Sequence, residues 1–232
     1  MKNKISGKIV ALLLTLIIVA TSGMPLYAKE TGDKANSFRY ENGQSIAKAV
    51  PFSTLSPNAW KKIDGKYYSG DGSVIEGAVA KGIDVSHHQG TVDWKKAKED
   101  GVEFAIIRCG FGMNQTKQDD AQWFNNVKGC EENNIPYGVY LYSYADTVKK
   151  AQSEAEHVLR LIKGHTLAYP VYYDIEEKAV LNKLTAEQLG KIAATFVNKV
   201  KAEGYQTGIY SNKSNFETFL TDSQFSQWNK WV

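Results

Sequence analysis

Several things are scarce in this 232-residue chain, and each scarcity excludes something. It has only two cysteines, so it is no disulfide-stapled scaffold, and no Cys-x-x-Cys pair suggests a thiol redox centre or a zinc site. Five prolines and 19 glycines rule out a collagen-like or proline-rich polymer. Neither a Gly-x-Ser-x-Gly elbow nor a phosphate-binding Gly-Lys-Ser/Thr loop occurs, which removes the common routes to acyl and phosphoryl transfer. Long hydrophobic runs are also missing. The longest, Ile9 to Ala20, has twelve residues, short of the roughly 20 that a spanning helix needs.

That run follows Lys2, Lys4 and Lys8 and precedes Leu26-Tyr27-Ala28, the layout of a secretory signal peptide cut after Ala28. The expectation is a signal at 1–28, with an uncleaved amino-terminal anchor as the alternative, and a mature protein secreted to the cell wall without a stable membrane anchor. Without the three signal lysines, 25 Lys plus Arg face 25 Asp plus Glu, so the mature chain carries no basic field. Nucleic acid is therefore not an expected partner, and a monomer is the expected state.

What is present is 43% hydrophobic and 12% aromatic content, enough for a real core. Residues 29–80 are rich in Lys, Asn, Ser and Gly and read as linker. Within them Trp60 to Tyr68 places apolar residues on both sides of Asp64-Gly65, a hairpin signal resembling one aromatic repeat of bacterial wall-binding modules. From Lys81 onward, β-rich runs at Gly82–Val85, Phe104–Cys109, Tyr137–Ser143, Val171–Ile175 and Thr207–Ser211 alternate with helical patterns at 93–100, 120–133, 147–162 and 185–203. Thr185 to Gln188 forms a capping box. This alternation predicts an α/β fold with a parallel sheet, either a barrel or an open sheet. The 152 residues from Lys81 are fewer than a closed eight-stranded barrel usually takes. Because the sequence closes on Trp228-Asn229-Lys230-Trp231-Val232, which reads as the opening of another strand, the barrel is expected to be truncated before its last strand.

The sharpest chemical feature is Tyr173-Asp174-Ile175-Glu176-Glu177 at the end of a strand. Alternation places Asp174 and Glu176 on one face, about 6–7 Å apart along the strand, at the rim where parallel α/β folds build active sites. Crowded carboxylates hold one proton between them, which suits glycosidic cleavage; a strand end that merely caps the next helix is the plainer alternative. Asp84 sits in the first strand, where an inward acid is costly unless used or paired with Arg108. His87-His88 follows it, and four histidines scattered along the chain make a metal site unexpected; His88 fits hydrogen bonding near the cleft better. Cys109 and Cys130 are either a disulfide or buried free thiols. Phe111, Tyr142, Tyr144, Tyr172, Tyr173, Tyr210, Trp228 and Trp231 cluster at strand ends and would line a cleft for a glycan.

Five blocks together resemble the family-25 glycoside hydrolases, bacterial and phage-type lysozymes. They are Gly82-Ile83-Asp84-Val85-Ser86-His87-His88-Gln89-Gly90, Ile106-Ile107-Arg108-Cys109-Gly110-Phe111-Gly112, Ile135-Pro136-Tyr137-Gly138-Val139-Tyr140, Tyr173-Asp174-Ile175-Glu176 and Gly208-Ile209-Tyr210-Ser211-Asn212. The resemblance implies an irregular (β/α) barrel of the glycosidase type over 81–232 that cuts the β-1,4 bond from N-acetylmuramic acid to N-acetylglucosamine in bacterial peptidoglycan. It makes Glu176 the general acid/base, Asp174 the group that orients or stabilises the substrate's acetamido, and Asp84 a supporting cleft acid. Tyr144, Tyr210, Tyr142, Arg108 and His88 become substrate contacts. A retaining, substrate-assisted route fits, with a direct enzyme nucleophile as the variant. No cofactor is implied. A chitinase-like hydrolase and a non-catalytic wall-binding protein with an incomplete barrel are the competing readings. Family members continue past the Trp-Val run into a further strand, so the catalytic domain is expected to be incomplete at its carboxyl end.

Overall fold

A computed structural model of the chain describes Tyr40–Glu41, Gln44–Ser45, 61–69 and 72–232. The expected signal at 1–28 and most of the expected linker, Trp60 included, lie outside the described residues. Tyr40–Glu41 and Gln44–Ser45 pair as two short antiparallel strands. Lys61–Ile63 and Lys66–Tyr68 form an antiparallel hairpin. Its turn places Asp64 at φ 49° and Gly65 at φ 78°, the paired left-handed conformations that match the twist of a two-residue hairpin loop.

Six strands follow: β1 (Gly82–Val85), β2 (Phe104–Phe111), β3 (Tyr137–Tyr142), β4 (Val171–Asp174), β5 (Thr207–Tyr210) and β6 (Asn229–Trp231). They lie side by side in chain order, and every neighbouring pair is parallel. The closing aromatic run, expected to open a further strand, supplies β6. The helices between them are α1 (Trp94–Glu99), α2 (Trp123–Glu132), α3 (Val148–Ile162), α4 (Lys178–Leu181), α5 (Ala186–Ala202) and α6 (Lys213–Thr218). Asp93, Thr147 and Thr185 cap α1, α3 and α5 through their side-chain oxygens, and the Thr185–Gln188 capping box is complete.

Crossovers of one hand between successive neighbours leave the helices on one side of the sheet. Ile107, Val139, Leu141, Tyr173 and Ile209 are fully buried in a core shared with Trp123, Ala151, Ala155, Val158 and Phe196. Tyr173 stacks on Phe196 with ring centroids 3.9 Å apart. Since side chains alternate, Asp84, Arg108, Tyr140, Tyr142, Tyr172, Asp174, Tyr210 and Trp231 belong to the opposite face. That face is concave. Three strand spacings, about 14 Å in a flat sheet, separate β3 from β6, yet the Trp231 ring lies 5.8 Å from Tyr140 as well as 5.3 Å from Tyr172 and 4.5 Å from Tyr210. Gly208 makes room for this, because a Cβ there would stand 2.6 Å from the Tyr172 ring. The architecture is thus a curled, parallel half-barrel, with β1 and β6 as its two edges among the described residues.

Candidate active site

The carboxyl ends of the strands gather the acids. Register sets Asp174 of β4 between Tyr142 of β3 and Tyr210 of β5. Asp174 is buried, and its Oδ1 has no hydrogen-bond partner among the described residues. Burial pushes its carboxyl well above the ordinary range, the negative charge of Glu176 pushes further, Arg108 opposes, and Asp84 adds a smaller rise. A buried carboxyl without a donor favours the neutral acid, so the crowded pair Asp174 and Glu176 favours holding one proton between them.

Beyond Asp174 the regular strand stops, though the backbone stays tied to β5: Ile175 N donates to Tyr210 O at 3.0 Å, and Ser211 Oγ donates to Ile175 O at 2.6 Å. Glu176 is half-buried on this extension. Glu177 is buried and does something different, capping α4 by accepting from Ala179 N and lying 3.4 Å from the Tyr142 hydroxyl. The acidic strand end therefore divides, with Glu177 capping the start of α4 and Glu176 standing close enough to Asp174 to raise its carboxyl.

Asp84 is exposed to solvent but stands within the hollow of the sheet, whose walls displace enough water to raise its carboxyl above the ordinary range. Pairing with Arg108, the plainer expectation for it, is not what Arg108 does. The guanidinium is buried, and its Nε donates to Asp120 Oδ2 at 2.7 Å while another nitrogen closes on His87 Nδ1. Asp120 also accepts from the backbone nitrogens of His87 and Gln122. This knot joins the loop after β1 to the loop before α2, and Arg108 supplies positive charge to the cleft from behind. His88 stacks beside His87, and burial together with the Arg108 charge lowers it to about 4, so its ring is neutral at neutral pH.

The aromatic expectations fall in two groups around Asp174. Tyr144 lies 5.1 Å from Tyr142 and edge-on to Phe111 at 6.4 Å, while Tyr210 packs with Trp231 on the other side. Burial and the neighbouring carboxylates hold the Tyr142 hydroxyl firmly protonated. Tyr172 also faces the concave side, whereas Tyr173 belongs to the helix layer. A cavity of about 350 Å³ opens below Asp84, between Phe104, Tyr172, Lys230 and Trp231. Cys109 and Cys130 are both buried free thiols rather than a disulfide, and burial pushes the Cys130 thiol up to about 12. Among the described residues no group of three or more His, Cys, Asp or Glu side chains is arranged to hold a metal ion.

Two buried acids escaped the sequence reading. The sequence places Asp120 at the start of a helical pattern and Glu154 at a polar position inside another. The available signal for Glu154 was its phase: it falls between Ala151 and Ala155 on the apolar stripe of α3.

Comparison with known proteins gives the same picture. An autolytic lysozyme of Clostridium acetobutylicum is 28% identical over 143 residues, covering 62% of this chain and 41% of its own length. The modular autolysin LytC from Streptococcus pneumoniae has a solved structure that matches with TM-score 0.64 and 33% identity, over 75% of this chain and 42% of that one. The chain thus spans about two fifths of the length of these two relatives. The bacterial lysozyme of Streptomyces coelicolor, at 22% identity and TM-score 0.57 over 68% of this chain and 75% of that one, shares the fold. The family model for glycosyl hydrolases family 25 matches residues 83–232, and the chain belongs to that family.

Proposed function

We propose that residues 81–232 are the catalytic part of a lysozyme, a secreted 1,4-β-N-acetylmuramidase that cuts the glycan strands of bacterial peptidoglycan at the cell wall. The observation that carries this is Asp174: a buried carboxyl with an unpartnered oxygen, between two tyrosines, next to Glu176 at a strand's carboxyl end. Such an arrangement is expensive for folding and suited to a positively charged transition state. The autolytic lysozyme relative supports the activity, and a LytC structure in complex with a synthetic peptidoglycan ligand supports the substrate class.

In this reading substrate binding places the one proton shared by the pair on Glu176, leaving Asp174 anionic, and Glu176 gives that proton to the leaving glycosidic oxygen as the C–O bond breaks. The substrate's own 2-acetamido oxygen attacks the anomeric carbon, and Asp174 stabilises the cyclic cation. Glu176, now anionic, takes a proton from water as that water opens the ring, which restores the acid and retains the anomeric configuration. Asp84 supports the pair, Tyr142, Tyr144 and Tyr210 contact sugar faces, and Arg108 and His88 complete the polar wall.

Incubation with purified peptidoglycan tests this. New reducing ends on muramic acid, β-configured when first formed, are expected from the wild type and not from Glu176→Gln. Ends on glucosamine, or equal release by the variant, would overturn the assignment; preferential cleavage of chitin would favour a chitinase-like enzyme.

A further inference from the structure

Glu154 stands apart from the acids of the cleft. It lies on α3, on the helix side of the sheet, and is fully buried. Ser143 Oγ donates to its Oε2 at 2.8 Å, Tyr173 Oη to the same oxygen at 2.5 Å, and the backbone nitrogen of Tyr144 to Oε1 at 2.9 Å. Ser143 Oγ in turn accepts from Ala145 N at 3.1 Å. Burial still pushes the carboxyl up to about 7, against the pull of these three donors. An apolar side chain of similar size would fill that position at lower cost.

What the donors have in common is their neighbours in sequence. Ser143 lies between Tyr142 and Tyr144, and Tyr173 immediately precedes Asp174. Adjacent residues of a strand face opposite ways, so a grip on the helix side fixes the aim of the residue next in sequence on the cleft side. The two strand ends are also bonded to each other, Ser143 N donating to Asp174 O at 2.9 Å. One carboxyl therefore clamps the β3 end that carries Tyr142 and Tyr144 and the β4 end that carries Asp174.

Resting on the muramidase reading above, we infer that Glu154 is a positioning residue for the reaction, aiming Asp174 through Tyr173 and the sugar-contacting tyrosines through Ser143 and the Tyr144 amide. The role is distinct from general support of the fold because its two branches end on different parts of the chemistry.

Kinetics on a soluble peptidoglycan fragment, with the full chain and three near-isosteric variants, separate the branches. Tyr173→Phe should lower kcat about tenfold with KM little changed, and Ser143→Ala should raise KM several-fold with kcat kept. Glu154→Gln should show both effects while unfolding cooperatively near the wild-type temperature. Values of kcat and KM within about twofold of wild type in all three variants, with only the melting temperature lowered, would overturn the inference. A wild type that leaves peptidoglycan uncut would sink the muramidase reading alone. In that event the ¹³C carboxyl titration of Asp174 decides: a midpoint displaced in Glu154→Gln and Tyr173→Phe upholds the clamp, and one unmoved in both overturns it.

Discussion

Two carboxylates at opposite ends of the same sheet have opposite surroundings. Glu103, just before β2 at the amino end, is crowded with donors: Lys62 Nζ reaches Oε1 at 2.7 Å, while Lys81 N at 2.8 Å and the hydroxyl of the buried Tyr67 both donate to Oε2. The Lys62 and Tyr67 hydrogen bonds hold its carboxyl down to about 2. Asp174, at the carboxyl end of β4, is pushed the other way by burial and by Glu176, with one oxygen unpartnered. The first arrangement is what a fold does with an acid that secures something, here the hairpin of Lys61–Tyr68 against the barrel. The second is the arrangement expected of an acid kept for a substrate, the role proposed for Asp174.

The contrast can be broken most decisively at the cleft. Glu176→Gln should cost about 10²–10⁴-fold in turnover of peptidoglycan with an unchanged melting temperature, the scale of a lost general acid. Asp174→Asn should cost about 10²-fold in kcat with binding of the glycan little changed, checked by calorimetry on an uncleaved fragment.

Stability should move in the opposite sense at the two ends. A carboxyl whose folded pKa is raised contributes stability below its unfolded pKa and loses it as pH rises, so Asp174→Asn should melt at or above the wild-type temperature at pH 7, with the difference shrinking in acid. Glu103→Gln should leave kcat unaltered but speed amide exchange in the hairpin, most visibly at Tyr67. The smallest expected effect is that of pH on the clasp. The folded pKa of Glu103 lies below its ordinary value, so its contribution is complete above pH 4.5 and fades as pH falls toward about 2. Hydrogen exchange across that range should loosen the hairpin before the sheet.

Much of the layout was legible in the sequence because local rules wrote it. The alternation in Tyr137 to Tyr142 and in Val171 to Asp174 reports which side faces helices, and Thr185 with Gln188 marks a helix start that tertiary packing had no reason to change. The parallel sheet followed from the spacing of the β-rich runs, whereas the order of its strands, and with it the choice between barrel and open sheet, did not. The helices α4 and α6, four and six residues long, do not stand out in the sequence, α4 being little more than one turn. The acids Asp174, Glu176 and Asp84 stood out since each follows or interrupts an apolar strand. Their partners did not, because pairing is set by the curl of the sheet. Arg108 finds Asp120 rather than Asp84 through the loop that brings residue 120 back over the end of β2, where Asp120 N donates to Cys109 O at 2.9 Å. Glu154 was hidden by its type, a charged residue in a helix ordinarily belonging to the solvent face.

The most direct measurement is a ¹³C-detected titration of the side-chain carboxyls, with Glu103 and Asp174 read in the same sample and again in Glu176→Gln. The expected result is Glu103 titrating far below the ordinary carboxylate range, Asp174 well above it, and the Asp174 midpoint falling when the Glu176 charge is removed. An Asp174 that titrates at an ordinary value, or that ignores the loss of Glu176, would contradict the reading of this cleft as a proton-holding pair.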